Sequence, residues 1–94
     1  MLFESGVFGL TLDIGHSHAV GDRDIPFYQA YDRLMIHMHG HDAKGSSNHL
    51  ALGDGEIDLA GRFAWAKRND ARVVLETKTI QALRTSVERL QRFL

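Results

Sequence analysis

The sequence predicts an α/β fold built on a parallel sheet, and three observations predict it. Short apolar runs suited to buried strands alternate with stretches of helical periodicity. The order is strand, helix, strand, loop, helix, strand, helix, a run of β-α units whose right-handed crossovers require parallel strands. Each strand run also ends on, or just before, an aspartate, histidine or glutamate, at the sheet edge where such folds place their sites.

The first strand is expected near residues 9–14, where GLTLDI is apolar and bounded by Gly6 and Gly15. Asp13 and His16 form a D-x-x-H pair where this run gives way to a turn, with His18 two residues further on. A short helix follows, with Asp24 as its cap and Pro26 in its first turn. Phe27, Tyr28, Ala30, Tyr31 and Leu34 give it one broad apolar face, which reads as packing. The second strand is expected near residues 34–39.

From Gly40 to Gly55 the chain reads as a long functional loop without regular structure. Asp42, Lys44 and His49 are its chemically useful members. The Gly53-Asp54-Gly55 turn could offer backbone N–H groups to an anion, although such a tripeptide is more often only a tight turn. Asp58 caps the next helix, which runs to about Lys67 with Leu59, Phe63 and Ala66 inward, and Asn69-Asp70 stops it. The third strand, near residues 72–77, carries Val73, Val74 and Leu75 as a continuous apolar run and ends on Glu76. Thr79 caps a last helix with Leu83, Val87, Leu90 and Leu94 on one stripe.

Composition bounds the chemistry. With 94 residues the chain holds one domain at most, and a net charge of −1 gives no electrostatic footprint for nucleic acid or an anionic membrane. There is no cysteine, so any metal site must use nitrogen and oxygen ligands. The first residues lack the basic region and apolar core of a signal peptide, and no segment approaches the roughly 18–20 apolar residues needed to span a bilayer. The expected location is cytoplasmic.

Four of the six histidines fall between His37 and Gly55, and His37, His39 and His41 recur at period two. An extended chain would turn all three to one face. Imidazole supplies a nitrogen lone pair near neutral pH without a charge to desolvate, so a metal site is the chemical reading of this pattern. The alternative is a polar strand edge with solvated histidines. Three separate segments, carrying Asp13 and His16, His39 and His41, and Glu76, reach the same edge. The mixed shell suits manganese, magnesium, cobalt or zinc. Whether His18, His37 or His41 competes with His16 and His39 for the metal stays open at this level.

In this order LDIGHSH, IHMHGHDAKG, NHLALGDGEID and VVLET resemble the last three β-α units of the xylose isomerase-like TIM barrels. That superfamily contains sugar isomerases and epimerases as well as apurinic endonuclease family 2. The resemblance covers nearly the whole chain and implies a partial (β/α)8 TIM barrel, with residues 1–94 as a single C-terminal fragment. It implies that Asp13, His39 and Glu76 bind a divalent metal. Glu76 would also move the proton, and His16 would orient a substrate oxygen. Lys44 or His49 could contact a substrate hydroxyl or phosphate.

The implied reaction is isomerisation or epimerisation of a sugar or sugar derivative, by proton transfer beside a carbonyl through a metal-stabilised enediolate. The glutamate of the family's fifth strand has no counterpart in these residues, so the isolated chain is expected to bind metal weakly and catalyse little. Two alternatives remain. One is a metal-dependent apurinic endonuclease-like phosphodiesterase, against which stand the neutral charge and Ser47, where a repair enzyme would carry aspartate. The other is a non-catalytic fragment that self-associates through its open sheet edges, so that a homo-oligomer or the N-terminal part of the barrel is the expected partner.

Overall fold

The computed structural model describes residues 8–94; Gly6, expected to bound the first strand, lies outside them. The elements run β1 (Leu10–Asp13), α1 (Ile14–Ala19), α2 (Ile25–Ala30), β2 (Met35–Gly40), β3 (Asp42–Lys44), β4 (Ser47–Leu50), α3 (Leu59–Arg68), β5 (Arg72–Leu75) and α4 (Ile80–Arg89). Short 3-10 turns precede β2 at Asp32–Leu34 and follow α4 at Leu90–Phe93. Strands β1, β2 and β5 form a parallel sheet with β2 in the centre. This mixed architecture is that of part of a (β/α)8 barrel.

Alternation along the strands separates two faces. Leu12, Met35 and Met38 are fully buried against Ile14, Leu52, Leu59, Phe63 and Ala66, and this is the hydrophobic core. On the other face Thr11 pairs with His37, Asp13 with His39, and His39 with Val74. That face is open: Thr11 and Arg72 are exposed, and Val74 is 40% exposed. A closed barrel would cover it with further strands.

Several expectations are corrected. The run after Asp13 is the short helix α1 rather than a turn, and Asp13 is its N-cap, accepting a hydrogen bond from the His16 amide. Asp24 makes no side-chain cap to α2; its carboxylate instead accepts from the Ser17 hydroxyl. Only part of the aromatic face expected for α2 is inward: Tyr28 packs against the core beside the buried Ile25, while Phe27, edge-on to Tyr28 and tilted on Tyr31, is 49% exposed. Between Gly40 and Gly55 the chain is not a bare loop, because β3 and β4 form an antiparallel hairpin. As expected, Asp58 and Thr79 cap α3 and α4, through the amides of Gly61 and Ala82.

The apolar stripe of α4 is mostly not buried: Leu83 is 39%, Val87 58% and Leu94 69% exposed, although Leu90 packs against the core. The helix docks through polar groups instead. Ser86 is fully buried and accepts from the Leu52 amide, while Arg89 Nη1 donates to the Leu52 carbonyl and to Asp54.

Candidate metal centre

Asp13 is the last residue of β1 and His39 sits opposite it in β2, so strand register alone brings their side chains together. Glu76 follows β5, and its amide donates to the Gly40 carbonyl at 2.9 Å, which carries the parallel ladder one residue further. By strand alternation Glu76 shares the face of Val74 and hence of His39. The His39 Nδ1 atom lies 2.8 Å from Glu76 Oε1 and 3.6 Å from Asp13 Oδ2.

One atom in this group is unbalanced. Glu76 Oε1 is shielded from solvent and has no hydrogen-bond partner among the described residues, despite its 2.8 Å approach to His39. A buried carboxylate oxygen without a donor is costly, and a cation removes the cost. Atoms that each lie about 2.0–2.2 Å from one ion are about 2.9–3.5 Å apart, close to the separations seen here. The donor set of two carboxylates and one imidazole fits a borderline or hard divalent ion. Asp13, His39 and Glu76 therefore fit a metal in charge, in donor type and in spacing, with one ligand atom from each lying within 4.8 Å of the others.

The other Asp13 oxygen is tied into the scaffold. Oδ1 accepts from the His16 amide at 2.9 Å and contacts His41 Nε2 at 2.8 Å. Burial raises the Asp13 carboxyl, but the His16 amide and the His41 and His39 imidazoles outweigh it and hold the group below its usual range. His41 is fully buried, and its ring stacks face to face on His49 at 4.2 Å. Asp13, His41 and His49 thus make a second cluster sharing Asp13.

The remaining candidates fall at different distances from this centre. His49 joins the cluster around His41. The imidazole of His16 is exposed and belongs to neither cluster, and the residue meets Asp13 through its backbone only. Lys44 is exposed at the end of β3. His18 pairs with Glu56 at 2.9 Å, away from both groups. His37 packs edge-on against His39, with ring centroids 5.2 Å apart. His37 and His39 therefore share the open face, but β2 ends at Gly40 and His41 leaves the alternation to enter the interior.

Asp42 has a structural role that its spacing did not show. It is 1% exposed, and its carboxylate accepts from the amides of Ala43, Gly53, Gly55 and Ile57. The anion bound by the Gly53-Asp54-Gly55 turn is this side chain. Gly55 is required there, since a Cβ would overlap the Asp42 carboxylate and the Ala43 backbone.

Comparison with known proteins agrees with this architecture. An uncharacterized protein of Methanocaldococcus jannaschii is 30% identical over 97 residues, an alignment that takes in 97% of this chain and 33% of that protein. The chain thus spans about a third of the length of the curated relative it matches. No solved structure matches significantly. Among the described residues no helix is long and apolar enough to cross a membrane. The profile of the xylose isomerase-like TIM barrels matches residues 3–94, and the chain belongs to that family.

Proposed function

We propose that this chain is the C-terminal part of a divalent-metal-dependent isomerase or epimerase acting on a sugar or sugar derivative. The observation that carries the reading is Glu76 Oε1, which accepts no hydrogen bond among the described residues while lying 2.8 Å from His39 with Asp13 alongside. Asp13, His39 and Glu76 would hold the ion, with manganese, magnesium, cobalt and zinc all compatible with the donors. When bound, the divalent ion supplies Lewis-acid polarisation of neighbouring carbonyl and hydroxyl oxygens.

The protein's own residues supply the rest. Glu76 would move a proton beside the carbonyl, a role supported by its position on the open face of the sheet with 39% of its side chain accessible. Asp13, pinned by the His16 amide, keeps its second oxygen towards His39. In this reading His16, Lys44 and His49 would contact substrate hydroxyls or a phosphate; His16 and Lys44 are exposed, which is compatible with such contacts. The second acid/base carboxylate would come from strands outside these residues. That assignment makes the missing partner either the rest of the barrel or another copy, and makes the isolated chain a weak metal binder with little turnover.

A panel of ketoses and an abasic-site oligonucleotide, each incubated with the chain and manganese, tests the reading. The expectation is no oligonucleotide cleavage, and ketose epimerisation only after the remaining barrel strands are supplied. Cleavage of the oligonucleotide would overturn it in favour of a phosphodiesterase, and efficient ketose turnover by the isolated chain would overturn the need for a partner.

A further inference from the structure

His41 is the most completely enclosed titratable group beside the site, and its two ring nitrogens have different partners. The His49 backbone amide donates to Nδ1 at 2.9 Å. A backbone N–H can only donate, so Nδ1 carries a lone pair and the ring proton sits on Nε2. Nε2 faces Asp13 Oδ1 at 2.8 Å and must therefore donate to it. Both nitrogens are spent, and no lone pair remains for an ion. The cluster of Asp13, His41 and His49 is thus not a second metal site of the same kind as the first.

The surroundings are built around this ring. His49 stacks on one face at an interplanar angle of 2°. On another side Gly15 admits the ring, since a Cβ there would overlap all three of the nearest imidazole atoms. His49 also adopts a left-handed backbone, φ 55°, which is unusual for a residue with a side chain, and its amide is the one that reaches Nδ1.

We propose that His41 is a positioning residue, held as the Nε2–H tautomer between Gly15 and His49, which fixes the Asp13 carboxylate so that Oδ2 is directed to the metal position beside His39 and Glu76. The inference rests on the metal reading given above. It adds that the hairpin carrying His49 is coupled to the metal site through one imidazole. A carboxylate ligand held by an outer imidazole loses less orientational freedom on binding an ion, and removal of such outer partners typically costs about 10–100-fold in metal affinity.

The test is histidine-selective 15N NMR of the whole chain, with and without zinc, joined to zinc titrations of His41→Leu and His41→Gln. The expected spectrum shows His41 with a protonated Nε2 and an acceptor Nδ1 before and after zinc, while His39 shifts on zinc addition. Zinc affinity is expected to fall about 10–100-fold in His41→Leu and to recover in part in His41→Gln, whose amide can still donate to Asp13. A metal-induced shift of a His41 ring nitrogen, or a proton on Nδ1 in the metal-free chain, would overturn the proposal. Equal zinc affinity in a folded His41→Leu would also overturn it. Absence of zinc uptake by the wild type would instead defeat the metal reading, and the metal-free tautomer would still decide how His41 is held.

Discussion

Glu76 Oε1 and His39 Nδ1 approach to 2.8 Å without a hydrogen bond between them, and the oxygen has no other donor among the described residues. A site in this state is less stable empty than it could be. Replacing the carboxylate with an amide gives His39 a possible donor and removes a charge from beside Asp13. Glu76→Gln is therefore expected to leave metal-free stability unchanged or to raise it by up to about 1 kcal/mol. The same substitution is expected to abolish the rise in melting temperature that manganese produces in the wild type. Thermal melts of both chains with and without manganese check this, and strong destabilisation of the metal-free variant would count against it.

Asp42 is a prediction about stability rather than chemistry. Its carboxylate gathers four backbone amides from β3 and from residues 53–57. Asp42→Ala strands these donors and is expected to cost at least about 3 kcal/mol, given about 1–3 kcal/mol for each buried donor left unsatisfied. Urea denaturation measures the loss. Asp54→Ala removes only an exposed partner of Arg89 and is expected to cost less than about 1 kcal/mol.

Acid sensitivity follows from Asp32. The Trp65 indole N–H donates to its carboxylate, and the Asn69 amide adds a second bond, so the group titrates below its ordinary value of 3.8. A depressed folded value means that this contribution is present above the unfolded pKa and is lost as pH falls through the folded one. Fluorescence of the single tryptophan should therefore hold steady down to about the ordinary aspartate range and change below it. Asp32→Asn should remove that transition, and a change centred near neutral pH would contradict the assignment.

The exposed stripe of α4 predicts association. Ile80 is 75%, Val87 58% and Leu94 69% exposed, and Ile36 in β2 is 53% exposed. Apolar patches of this kind are uncommon on an isolated monomer. Sedimentation of the 94-residue chain is expected to show self-association, reduced by Val87→Glu, and a monodisperse wild-type monomer would contradict it.

The strands were legible because their signals are local. GLTLDI and RVVLET are apolar and β-branched between breakers, and their C-terminal residues follow directly from where each run stops. The convergence of Asp13, His39 and Glu76 needed only parallel strands in order, which the β-α alternation supplied. The hairpin was not legible: Ser47–Leu50 is polar and half-buried, and it is held by pairing with β3 and by the hydrogen bonds around Asp42. Those are tertiary contacts without a sequence period. For α4 the stripe itself could be read, but not which face is covered, because docking through Ser86 and Arg89 overrides the apolar pattern. Likewise the H-x-H-x-H alternation promised three imidazoles on one face, and the end of β2 at Gly40 sent the third into the core.

The most direct measurement is a calorimetric titration of the chain with manganese, run in parallel on Asp13→Asn, His39→Gln and Glu76→Gln. The account predicts one weak saturable site in the wild type and its loss in each of the three variants. No binding by the wild type, or binding that survives all three substitutions, would contradict it.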